Sequence, residues 1–123
     1  VAGQAAAVVV EVRDTGEVIS ASVGDCEARI LWEDSMLDLT AGQQRKPLLG
    51  SREAKPTSFT AALGTSATLV VGSDGLWKYT STDCIRVAAS THPIEAAAAM
   101  LVESVKLRNG TLQDDVAVAV LSS

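Results

Sequence analysis

Three aspartates stand beside apolar, β-branched runs, where a carboxylate can do chemistry. Asp74 lies in Thr68-Leu69-Val70-Val71-Gly72-Ser73-Asp74-Gly75-Leu76-Trp77. Residues 68–71 read as a short buried strand, which Gly72 to Gly75 stop. A carboxylate followed by Gly at a strand end is held by the sheet yet faces a crevice. Leu76-Trp77 then anchors the turn in the core. Asp114 precedes the apolar run Val116 to Leu121, and Asp25 follows the alternating run 17–23. If the strands flanking Asp74 and Asp114 are antiparallel neighbours, both carboxylates reach one edge. Three oxygen donors with no His or Cys among them suit Mg2+ or Mn2+. Two carboxylates ~4 Å apart repel by roughly 4 kcal/mol at an effective dielectric near ~20, which a cation relieves. The structural alternative is that each aspartate serves as a turn residue or helix cap.

The bulk properties bound what such a site could serve. The chain has 123 residues, enough for one domain or part of one. Hydrophobic residues make up 47%, yet only two Trp, one Tyr and one Phe are aromatic, so the core packs small side chains. The net charge of −5 disfavours nucleic acid or an anionic membrane and suits cations. No run reaches the ~18 apolar residues of a membrane span, and residues 1–12 lack the basic start of a signal peptide. Cys26 and Cys84 form no CxxC or Cys/His cluster. They read as small buried hydrophobes in a reducing, cytoplasmic interior. The single histidine, His92, precedes Pro93 at a helix start and reads as a cap or an exposed residue.

The elements that must position the aspartates follow in order. Residues 5–13, 17–23 and 27–32 read as strands, followed by Met36 to Leu39, and the first forty residues as an antiparallel meander. Val18, Ser20 and Ser22 alternate with Ile19, Ala21 and Val23, as in a half-buried central strand. Residues 40–60 carry Gly42, Pro47, Gly50 and Pro56 with Arg45, Lys46, Arg52 and Lys55, and no sustained period. They read as a long, exposed, mobile insertion. Ser81-Thr82-Asp83 signals a helix start, and Thr91-His92-Pro93 a second. Ile94, Ala97, Ala98, Leu101, Val102 and Val105 form its apolar stripe, and Asn109-Gly110 ends it. A strand from Val116 to Leu121 closes an α+β layered arrangement.

Three segments in this order resemble a known family. Ser22-Val23-Gly24-Asp25-Cys26-Glu27-Ala28-Arg29, Leu69 to Trp77 and Asp114-Asp115-Val116-Ala117-Val118 are similar to the GDSRA, SDGLWD and DN(I/V)TV segments of the type 2C (PPM) metal-dependent protein serine/threonine phosphatases. Gly3 to Val8 resembles that family's GSTA strand, and Leu39-Thr40 the pair preceding its flap. The resemblance spans residues 1–123, with 41–60 as the flap.

The resemblance implies a layered antiparallel β-sandwich flanked by helices, in α-β-β-α order. It implies two Mg2+ or Mn2+ ions, with a weaker third, activating the water that hydrolyses phosphoserine or phosphothreonine of a protein substrate. Asp74 and Asp114 would be ligands of the pair, and Asp25 and Asp74 of the third ion. Lys78 stands where the family commonly has Asp, Asp115 where Asn is usual, and Cys26 replaces Ser. The family's DGHGG segment and its phosphate-binding Arg precede the GSTA strand, and nothing here resembles them. The sequence thus resembles an N-terminally incomplete phosphatase domain, with little activity expected of it alone. The rival readings are a catalytically inactive binding or regulatory module and a purely structural domain with cap aspartates.

Overall fold

The structure, a computed structural model, describes residues 3–123. Seven strands and three helices follow in the order β1 (Ala7–Val12), β2 (Glu17–Val23), β3 (Glu27–Leu31), β4 (Met36–Asp38), β5 (Thr57–Ala62), β6 (Thr68–Gly72), α1 (Asp74–Trp77), α2 (Thr82–Ala89), α3 (Ile94–Ser104) and β7 (Val118–Ser122). One antiparallel sheet has the order β1-β2-β5 and the other β4-β3-β6-β7.

Two hydrophobic layers set this arrangement. Val18, Ile30, Leu39, Leu63 and Leu69, with Val8, Val10 and Val12, fill the space between the sheets. Leu31, Val70, Leu76, Ile85, Leu101 and Val105 join the four-stranded sheet to the helices. The buried face of β2 is Val18, Ser20 and Ser22. Hydroxyl side chains inside a sandwich need partners, and Ser20 Oγ donates to the Phe59 carbonyl at 3.4 Å. On α3 the buried stripe is Ala97, Leu101 and Val105, spaced four apart. Ser81 caps α2 by accepting from the Cys84 amide at 3.1 Å.

Four sequence expectations are corrected. The first forty residues are two hairpins, not one meander: β2 pairs with β1, whereas β3 pairs with β4 and β6. The chain changes sheets at Gly24, whose φ of +105° and closeness to Ala6 leave no room for a Cβ. The insertion ends before residue 57, because 57–60 belong to β5. That strand is a largely exposed edge of Thr, Ser, Phe and Ala, so it carries no apolar alternation. Helix α3 ends at Ser104, not at Asn109-Gly110. Residues 107–111 close a turn instead, with Leu107 N–H donating to the Thr111 carbonyl at 2.8 Å.

The fourth correction concerns the layers. Helices cover only the four-stranded sheet among the described residues, giving β-β-α rather than α-β-β-α. On the other sheet Val9 is 68% exposed. No helix among the described residues is long and apolar enough to cross a membrane.

Candidate functional site

One end of the four-stranded sheet gathers the acids. Glu27 at the start of β3 pairs with Gly72 at the end of β6, and Gly72 pairs with Val118 at the start of β7. Asp25 lies two residues before Glu27, Asp74 two after Gly72, and Asp114 four before Val118. The antiparallel pairing of β6 and β7 that would bring Asp74 and Asp114 to one edge is present.

Asp74 is the first residue of α1, a single turn rather than a loop. This turn is held on three sides. Leu76 is fully buried in the sheet–helix core. Trp77 Nε1–H donates to the Gly72 carbonyl at 3.0 Å and to the Glu27 carbonyl at 3.2 Å, tying α1 to both strands. Ser73 donates its N–H to the Ala117 carbonyl at 3.0 Å, and its Oγ accepts from the Ala117 amide at 3.0 Å. Gly75 lies so close to the Asp115 carbonyl that a Cβ there would overlap it. Trp77 is therefore a core anchor with a polar handle.

Glu27 and Arg29, on one face of β3, form an ion pair at 2.6 Å, and each side chain is about one-fifth exposed. The Arg29 guanidinium stacks over Trp77 at 4.5 Å from the ring centroid.

Asp25 and Asp74 line one cavity of about 250 Å³, together with Glu27, Arg45, Trp77 and Lys78. Burial, reinforced by the charges of Asp25 and then Asp74, pushes the thiol of the intervening Cys26 above its usual pKa. Asp114 does not line this cavity; its Oδ1 accepts from the Asp115 amide at 2.8 Å on the exposed approach to β7. A larger hollow of about 530 Å³ at the far end of the sheet, beside Trp32, Arg86 and His92, contains none of the three aspartates.

The cavity adds residues that the aspartate pattern did not supply. Glu27 is legible as the first residue of the strand that follows the Asp25 turn. Arg45 was visible only as one of four basic residues in the insertion. Two hydrogen bonds place its segment: Gly24 N–H donates to the Gln44 carbonyl and Gln43 Nε2–H to the Cys26 carbonyl, each at 2.8 Å.

The donor chemistry here is that of a hard divalent cation, all carboxylate oxygen. The geometry does not close a site for one: among the described residues no three His, Cys, Asp or Glu side chains converge as a metal-ligand group. Asp25 and Asp74 are a pair of donors awaiting others, and Glu27 is already engaged by Arg29.

No protein-family model matches the sequence, and no curated protein does. Solved structures match by shape. A bacterial serine phosphatase bearing a single mutation superposes with a TM-score of 0.79 at 22% identity, over 95% of this chain and 52% of that chain. The Mycobacterium tuberculosis serine/threonine phosphatase PstP/Ppp gives 0.70 at 21% identity, over 85% of this chain and 54% of its own. RsbX in complex with magnesium gives 0.69 at 16% identity, over 95% and 55%. The chain thus spans about half the length of these structures and shares the fold of that half.

Proposed function

We propose that this chain is the C-terminal part of a type 2C metal-dependent phosphatase acting in the cytoplasm on phosphoserine or phosphothreonine in a protein substrate. The observation that supports this most is the meeting of Asp25 and Asp74 in one cavity, within a fold shared with bacterial serine/threonine phosphatases. The two carboxylates would supply part of the oxygen set for Mg2+ or Mn2+, and Asp114, on the approach to the neighbouring strand, a further part. Residues outside this sequence would complete the centre. When bound, such ions supply Lewis acidity and an activated water. The chain's own share is positioning: the Trp77 anchor and the Ser73–Ala117 bonds hold Asp74 against the sheet end, and the Gly24 turn holds Asp25 opposite.

The test is thermal melting of the chain with Mn2+. A ligand that binds only the folded state raises Tm by mass action. Mn2+ is expected to raise Tm of the wild-type chain, and Asp74→Asn to abolish the rise. No rise in the wild type, or an undiminished rise in Asp74→Asn, overturns the metal reading.

A second reading has its own support. Arg45 and Lys78 sit in the same cavity as the acids, and no three-donor group forms among the described residues. On this reading the domain is an inactive phosphatase-like module in which cationic side chains stand in for metal. It expects no Mn2+ effect, and it expects Lys78→Ala to lower Tm through loss of charge compensation.

A further inference from the structure

We infer that Arg45 is an anion anchor of this cavity, binding the phosphoryl oxygens of whatever phosphorylated group enters it; this rests on the phosphatase reading of the site. The segment that carries it is fixed immediately before Arg45, by the Gln44 carbonyl on Gly24 N–H and by Gln43 Nε2–H on the Cys26 carbonyl. Both partners belong to the turn that bears Asp25, so the arginine and the aspartate are carried on one unit. Arg45 lines the main cavity and also an adjoining hollow of about 120 Å³ that includes Gly24, Thr40 and Gln43. It forms no ion pair among the described residues, although Asp25, Glu27 and Asp74 share its cavity. Glu27 is taken by Arg29 at 2.6 Å. A guanidinium offers a planar fork of donors matched to two phosphoryl oxygens, which the ammonium of Lys78 does not.

Charge supports the same role. With Glu27 neutralised by Arg29, Asp25 and Asp74 against Arg45 and Lys78 leave the cavity with no net charge. Without Arg45 and Lys78, two uncompensated carboxylates face an entering anion and repel it. The chain's own cations therefore decide whether a phosphate can enter.

The experiment is calorimetric titration of the whole chain with inorganic phosphate, with Mg2+ present. Arg45→Ala is expected to weaken phosphate binding roughly tenfold, the loss of one charge-assisted pair. Arg45→Lys keeps the charge without the fork and is expected to fall between. Arg52→Ala, which removes the same charge from an exposed position outside the cavity, is expected to bind as the wild type does. Equal binding by Arg45→Ala and wild type, an equal loss in Arg52→Ala, or no binding by the wild-type chain overturns the inference. Its failure is separable from that of the phosphatase reading. If Mn2+ raises Tm through Asp74 while phosphate ignores Arg45, only the anchor falls. If phosphate depends on Arg45 while Mn2+ shifts no Tm, the anchor stands without the metal centre.

Discussion

The cavity at the acid-bearing end has two walls of different construction. The wall around Asp74 is made by the end of β6, the single turn α1 and the approach to β7. It is held by a fully buried leucine, a doubly bonded tryptophan and two Ser73–Ala117 hydrogen bonds. The facing segment around Arg45 is an exposed loop, fixed there by two hydrogen bonds to the turn at Gly24–Cys26. The contrast teaches how the site divides its work. The acid is placed by the core, so disturbing its wall costs stability. The cation is placed by a loop, so disturbing it changes what binds and little else. Wall and loop are therefore distinguishable by which readout each mutation moves.

The largest expected effect lies on the wall. Gly75→Val would drive a branched side chain into the Asp115 carbonyl and against Val116. Forced overpacking of this kind costs about 2–3 kcal/mol, or a drop in Tm of roughly 10 °C in a domain of this size. A Tm within about 2 °C of wild type by calorimetry would show that the approach to β7 yields freely, and the rigid-wall side of the comparison would fail.

Gln43→Ala addresses the loop. It removes the 2.8 Å bond to the Cys26 carbonyl, but it also removes a buried Gln43 Oε1 that has no protein hydrogen-bond partner among the described residues. The lost bond is worth about 1 kcal/mol, and deleting the unpaired acceptor offsets part of it. Tm should fall by no more than about 4 °C, while phosphate affinity falls several-fold because one of the two bonds that hold the Arg45 segment is gone. A Tm loss equal to that of Gly75→Val, or unchanged phosphate affinity, would erase the distinction between wall and loop.

The same distinction explains what could be read from the sequence. The wall is written locally: an apolar run, a Gly-Ser-Asp-Gly stop and an apolar anchor are contiguous, and each follows from backbone and burial preferences. Asp25 and Glu27 are similarly legible, because the Gly24-Asp25 break after one apolar run and the start of the next lie within four residues. The position of Arg45 is not written locally. It depends on a glutamine side chain and a backbone carbonyl reaching a turn some twenty residues earlier in the chain, and no periodicity encodes such contacts. Strand β5 escaped for a related reason. Its Thr, Ser and Ala residues take their strand geometry from pairing with β2, not from a buried face of their own. The missing helical layer is different again: the expectation came from a resemblance, and no described residue supplies a helix for that face.

Cys26 gives the smallest effect and the one that measures both sides of the acid pair at once. Its thiol lies between the fields of Asp25, on the turn, and Asp74, on the wall. Burial is the larger cause of its raised pKa, and the two carboxylates add to it by opposing the thiolate. The folded state therefore holds the proton more tightly than the unfolded chain does. The resulting stability is complete below the ordinary thiol pKa of ~8.5 and is lost as pH rises through the folded value. Tm of the wild type should accordingly fall more between neutral and alkaline pH than Tm of Cys26→Ser. Alkylation resolves the contributions. In a Cys84→Ser background, the pH midpoint for iodoacetamide reaction at Cys26 should lie above that of a free thiol. Asp25→Asn should move it down further than Asp74→Asn, the order in which the two charges act. A midpoint at the free-thiol value, or one indifferent to both substitutions, would mean that the two aspartates do not share the field at Cys26, and the cavity would lose the pairing on which its chemistry rests.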